Sequence, residues 1–189
     1  MVCIILFGIR ICIDFTAPLL IGILSLTLPP AQVWHTAAAC LLHESAHILA
    51  IFITKQHPEK LNVSAAGMQL TIHRGMLCPL RSYLLILQSG PLMNLVFGLL
   101  LMHQHPEAAA AHFALFWFNL LPYRGTDGGT LLRMILEQKY EPHAETAERI
   151  AKLTALTASF VILAGMHFTE QRNLSLFVMI VYLIVSEFM

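Results

Sequence analysis

The feature that most constrains this chain is a series of apolar runs, each close to the length of a membrane-crossing helix. Residues 32–54, 82–103 and 147–167 are nearly unbroken apolar stretches; 14–29 and 172–188 are shorter ones; 107–123 continues through a polar break to about 136. A helical span needs about 20 apolar residues, so about six transmembrane helices are expected. Composition agrees: 57% of the chain is hydrophobic and 12% is charged, against about 25% charged in an ordinary soluble domain. The formal net charge of +0 offers nothing to a polyanion, so nucleic acid is excluded as an expected partner. The lipid bilayer is the partner the composition demands. The expected fold class is an all-α polytopic membrane protein, one membrane-embedded domain over 1–189 with core spans at about 32–54, 82–103 and 107–136.

Two stretches break the helical pattern. In "GIRICID", Ile9, Ile11 and Ile13 alternate with Arg10, Cys12 and Asp14, which suits a strand at the membrane surface. The rival reading is one long helix from Val2 in which Arg10 and Asp14 pair at i,i+4. The link between the second and third spans is too polar to cross a bilayer, and "KLNVSAAGMQLTIHR" is expected to turn as a hairpin around Ala65–Gly67. A small β-hairpin or sheet at the cytoplasmic surface is therefore part of the expected fold. The opening residues lack the basic n-region of a secretory signal. Cys3, Cys12, Cys40 and Cys78 form no CxxC pair and are expected to be reduced thiols in apolar surroundings.

Lys and Arg set the orientation. Lys55, Lys60, Arg74 and Arg81 lie between the second and third spans. Arg124, Arg133, Lys139, Arg149 and Lys152 follow the polar break in the fourth. The positive-inside rule places both segments, 55–81 and 124–152, in the cytoplasm. Six spans then put both termini there. "EPHAETAERIAKL" reads as the start of a helix entering the fifth span, with Pro142 in its first turn and Glu145 and Glu148 near its positive end.

One span carries chemistry. "AACLLHESAHILAIFI", residues 38–53, is helix interior, yet holds His43, Glu44 and His47. Residues four apart share a helix face one turn apart, so His43 and His47 can ligate one zinc ion. Glu44 points about 100° further round, where it can act as general base on an attacking water. This is the H-E-x-x-H arrangement. An ionisable residue at mid-bilayer costs about 2.5–3.5 kcal/mol on insertion scales, and a bound cation offsets that cost. A catalytic zinc site usually has three protein ligands. The third candidate is in "FNLLPYRGTDGG", residues 118–129. There Pro122 and Gly125 break a helix, Gly128 and Gly129 allow close backbone approach, and Asp127 stands at the break. The bland alternative for Asp127 is a cap for the helix that follows.

His43-Glu44-x-x-His47, "SGPLMN" at Ser89–Asn94, and Asn119-x-x-Pro122 leading to Asp127-Gly128 together resemble the site-2 protease family of intramembrane zinc metalloproteases. The resemblance covers about residues 30–135, and the compact form is most similar to the stage IV sporulation factor B group. It implies hydrolysis of peptide bonds in membrane-embedded or membrane-associated substrates, often with release of a transcription or sigma factor. It implies one Zn2+ held by His43, His47 and Asp127, with Glu44 as catalytic base and supporting roles for Asn119 and Asn94. It implies an integral protein of a bacterial cell membrane, with a regulatory membrane partner left open. Where the family has a second proline and an apolar residue before the aspartate, this chain has Gly125 and Thr126. Only about His103–Glu107 separates the third and fourth spans, so no PDZ domain is expected, and no CBS domain either.

Two rivals to proteolysis remain from the residues themselves. A transporter or channel with a metal or proton site would also use intramembrane His, Glu and Asp. It predicts more ionisable residues across the bilayer, and the apolar parts of the fifth and sixth spans supply only His167. An inactive scaffold would not need Glu44. His35 and His112 read as interfacial or packed polar residues, and Asn94 as an interhelical hydrogen-bonding residue.

Overall fold

The structure is a computed structural model that describes residues 2–6, 9–15, 19, 22, 25–26, 28–56, 58–64, 67–72, 79–140, 143–168 and 174–188. Half of the expected first span, 14–29, lies outside the described residues, as do Cys78 and Pro142. The elements divide into two compact units, Met1–Trp117 and Phe118–Met189.

The first unit opens with strands β1 (Val2–Leu6) and β2 (Ile9–Ile13), followed by helix α1 (Pro30–Ile53), strands β3 (Pro58–Ser64) and β4 (Gly67–Ile72), and helix α2 (Leu80–Leu101). Helix α3 (Pro106–Asn119) comes next, with its last two residues in the second unit. The alternating N-terminal stretch is thus a strand, not the start of a long helix. The strands form one sheet in the order β1-β2-β3-β4. β1–β2 and β3–β4 are antiparallel, and β2–β3 is parallel. Parallel neighbours need a crossover of a dozen or more residues. Here α1 lies within that crossover, so the sheet and α1 are tied by topology. The β3–β4 hairpin pairs Ser64 with Gly67, at the turn read from the sequence. Pro58 is the first residue of its strand, a position that asks least of its missing N–H.

One expectation fails here. Cys3 and Cys12 are joined as a disulfide, not reduced thiols. Antiparallel pairing of β1 with β2 sets the two residues directly opposite each other, which a search for CxxC spacing cannot reveal. Cys40 keeps a free, exposed thiol.

Helix α1 begins at Pro30, where a proline costs nothing because the first-turn N–H groups have no helical partner. It ends in a Schellman motif. Lys55 takes φ 55°, its N–H donates to the Phe52 carbonyl at 3.1 Å, and the Gln56 N–H donates to Ile51 at 3.0 Å. The buried residues of α1 include Ala39, His43, Ala46 and Ala50, spaced four, three and four, and so lie on one face. Those of α2 include Ile86, Gly90, Asn94 and Gly98, a stripe spaced by four. Small residues on facing stripes let membrane helices approach closely, and His43 and Asn94 lie in that seam. Outside it Leu49, Phe52, Ile53, Leu92, Val96, Leu99 and Leu100 are exposed. Water does not tolerate so large an apolar surface. Among the described residues, three helices, Pro30–Ile53, Leu80–Leu101 and Glu145–His167, are long and apolar enough to cross a membrane. The molecule is a membrane protein.

The second unit holds helices α4 (Asp127–Lys139), α5 (Ala144–Phe168) and α6 (Leu174–Phe188). α5 buries Ala147, Ala151, Ala155 and Ser159, a small-residue stripe spaced by four. Leu136 packs on Ala147 and Ala151, and Tyr123 packs on Ala155 and Leu183. The segment between α3 and α4 is held from within: the Tyr123 hydroxyl, fully buried, shares a 2.6 Å hydrogen bond with Ser159 Oγ. Glu187, near the end of α6 and 2% exposed, accepts the Arg124 backbone N–H at 2.9 Å and pairs with the Arg133 guanidinium. The sequence reading did not weigh Glu187. A lone glutamate closing an apolar run was the available signal.

Candidate metal centre

His43 and His47 stand one turn apart on α1, and their Nε2 atoms face each other at 3.1 Å. Two nitrogens bound to one tetrahedral zinc at about 2.0–2.1 Å lie about 3.3 Å apart. Each Nδ1 is turned away and engaged. His47 Nδ1–H donates to the Ile86 carbonyl at 2.7 Å, with Ser89 Oγ 3.3 Å from the same nitrogen. A carbonyl can only accept, so the proton of neutral His47 is on Nδ1 and its Nε2 carries a lone pair. His43 Nδ1 is 3.0 Å from Asn94 Nδ2. Such backing of the outer ring nitrogen is what orients histidines for a metal.

α2 shapes the other side of the pair. A Cβ at Gly90 would collide with Nε2 of both histidines, so glycine leaves open the space in front of the ligand atoms. Pro91, in the same turn, has no N–H for the Leu87 carbonyl. The carbonyl before that, Ile86, is the one that receives His47. Two imidazoles on one face, correct spacing, backed outer nitrogens and a recess that a methyl group would fill together suit a metal ion. The nitrogen donors suit zinc.

Behind the pair lies a residue that the sequence reading treated as bland. His112, on α3 and 3% exposed, places Nδ1 3.0 Å from Asn94 Oδ1. Its ring stacks on Phe97, with centroids 5.5 Å apart. Asn94 therefore links α1, α2 and α3, a wider reach than the pairwise contact expected of it. No spacing rule could have found His112, because its partner is on another helix. Only an unexplained histidine in an apolar run pointed to it.

Glu44 is half-buried beside His43 on α1. Asn119 is the last residue of α3, also half-buried. Asp127 is the first residue of α4, in the second unit. The alternative role for Asp127, capping, is taken by its neighbour: Thr126 is the N-cap and its Oγ1 accepts the Gly129 N–H at 3.1 Å. The same hydroxyl lies 2.9 Å from the Tyr123 carbonyl. Thr126 is one of the two positions where this chain departs from the family pattern, so the departure supplies the cap. Gly128 and Gly129 are required by close approach, since a Cβ at either would strike the backbone of Leu120 or Tyr123.

No protein-family model matches the sequence, and no curated protein matches it. A solved structure does match: the "Site-2 Protease from Methanocaldococcus jannaschii", at 20% identity and a TM-score of 0.69, over 98% of this chain and 93% of that one. The fold is that of a site-2 protease. Nearly full coverage of both chains carries the likeness beyond residues 30–135, the part that the sequence motifs covered.

Proposed function

We propose that this protein is an intramembrane zinc metalloprotease of the site-2 protease type, cleaving membrane-embedded or membrane-associated substrates. The observation that carries this reading is the His43–His47 pair: two imidazole Nε2 atoms 3.1 Å apart on a membrane-spanning helix, with Glu44 between them in sequence. The shared fold with a site-2 protease supports it. Asp127 is the proposed third ligand, and the capping of α4 falls to Thr126. Asn119 and Asn94 are assigned supporting roles, Asn94 by holding His43 Nδ1.

When bound, zinc supplies Lewis acidity to the scissile carbonyl and to a water. The chain does the rest. His43 and His47 present Nε2 from one face, and Ile86 and Asn94 keep their rings from turning. The Glu44 carboxylate takes the proton from the attacking water and returns it to the leaving amine. A substrate helix hides its amides in its own hydrogen bonds, so the segment to be cut must first be extended. An edge of the sheet, β1 or β4, can hold it by strand addition. Six spans with cytoplasmic termini and release of a sigma or transcription factor complete the proposal, with a regulatory membrane partner left open.

The deciding experiment is Glu44→Gln in the purified full chain. Cleavage of a membrane-peptide substrate is expected to disappear while zinc stoichiometry stays at that of the wild type. Undiminished turnover sinks the general-base role; loss of zinc makes Glu44 a ligand instead.

A further inference from the structure

A line of polar side chains runs from the metal-facing nitrogens back into the protein. His47 Nε2 meets His43 Nε2 at 3.1 Å, His43 Nδ1 meets Asn94 at 3.0 Å, and Asn94 meets His112 Nδ1 at 3.0 Å. Asn94 is fully buried, and His43 and His112 are nearly so. Each link needs one donor and one acceptor, and a neutral imidazole has one of each.

Without a cation, two lone pairs cannot face each other at this distance, so a proton lies between the Nε2 atoms. His47 keeps its own proton on Nδ1 for the Ile86 carbonyl. The proton in the middle therefore belongs to His43. Its Nδ1 is then an acceptor, Asn94 Nδ2–H donates to it, and His112 Nδ1–H donates to Asn94 Oδ1. For a cation to bind, His43 must give up that arrangement. Its proton has to sit on Nδ1, the Asn94 amide has to turn over so that Oδ1 accepts it, and Asn94 Nδ2–H then donates to His112 Nδ1. Both patterns pair a donor with an acceptor at the His43–Asn94 and Asn94–His112 links. They differ in whether His43 Nε2 offers a proton or a lone pair.

We propose that His112 is a positioning residue for the metal: by accepting from the turned Asn94 amide, it holds the His43 proton on Nδ1 and leaves Nε2 free for the ion. The role needs a group able both to donate and to accept at one atom, which imidazole does by exchanging tautomers. A side chain without nitrogen would leave one end of the buried Asn94 amide unsatisfied in either pattern. The proposal rests on His43 and His47 being the metal ligands.

The test is zinc affinity of the full chain in detergent, by competition with a chelator. His112→Phe keeps the ring stacked on Phe97 but has no nitrogen. Zinc is expected to bind about 10–100-fold more weakly, as when an outer-shell partner of a ligating histidine is lost. His112→Asn restores an amide near the position of Nδ1 and is expected to bind at least about tenfold more tightly than His112→Phe. A purely structural role for the ring predicts no such rescue. In wild-type protein labelled with 15N-histidine, zinc should move the His112 Nδ1 resonance from the protonated to the unprotonated range, a readout that needs no variant to fold. Equal affinity of wild type and His112→Phe, or a His112 resonance unmoved at saturating zinc, overturns the proposal alone. A wild type that binds no zinc overturns the metal reading and this proposal with it.

Discussion

At Gly90 the helix backbone lies against both ligand nitrogens, and any Cβ would collide with them. Gly90→Ala should therefore force the His43 and His47 rings apart and weaken zinc binding, by about 10–100-fold if the effect matches loss of an outer-shell contact. Gly98→Ala is the control, since a Cβ there would meet the Phe113 ring instead. Zinc affinity unchanged in Gly90→Ala, with the fold retained, would remove the case for a recess. At Asp127 the expected outcome separates ligation from capping. Asp127→Asn should lower zinc affinity and abolish cleavage, because an amide oxygen is a weaker ligand and one charge is lost. Asn is as good a cap as Asp, so a capping role predicts a silent change. Zinc content and turnover of the Asn variant decide.

On the scale of elements, α4 is set in place from both ends of the break before it. Thr126 caps it, and Thr126→Ala should cost about 1 kcal/mol of stability, read as a lowered midpoint of thermal unfolding in detergent. Glu187 on α6 binds the Arg124 backbone N–H and the Arg133 side chain, whose Nε also lies 3.4 Å from Glu148 Oε2. Removing one member of a buried ion pair costs about 3–5 kcal/mol when the other is left uncompensated, and Glu148 beside Arg133 offsets part of that cost. Glu187→Ala should lower the unfolding midpoint well beyond Thr126→Ala. Glu187→Leu combined with Arg133→Met should recover much of the loss, since an apolar pair of similar volume is often neutral or better. If the double variant is no more stable than Glu187→Ala, the pair is not what holds α6 there.

For the whole molecule, the sidedness rests on charge. Nine of the basic residues fall in segments 55–81 and 124–152, and the positive-inside rule sends both to the cytoplasm. Single cysteines at Gln69 and Gln138 in a cysteine-free background should resist an impermeant reagent applied to intact cells and react once the membrane is opened. Labelling of either from outside would invert the topology. The cysteine-free background removes the Cys3–Cys12 disulfide as well, so its thermal unfolding should be compared with that of the wild type first.

The sequence determined what depends on neighbours along the chain. Apolar runs fixed the membrane, alternation at Ile9–Ile13 gave a strand, the expected hairpin is the one that pairs Ser64 with Gly67, and i,i+4 spacing put His43 and His47 on one face. Each follows from a local period. What only the tertiary structure decided involves partners far apart in the chain. The parallel pairing of β2 with β3, the Cys3–Cys12 bond across a hairpin, the Ile86 carbonyl behind His47 and the buried Glu187–Arg133 pair all depend on which surfaces meet. Asn94 and His112 show the difference most plainly. The sequence could say that two polar residues stand in apolar helices. That one turns the other towards His43 is a property of three helices packed together, because a buried polar atom takes its meaning from the group that satisfies it.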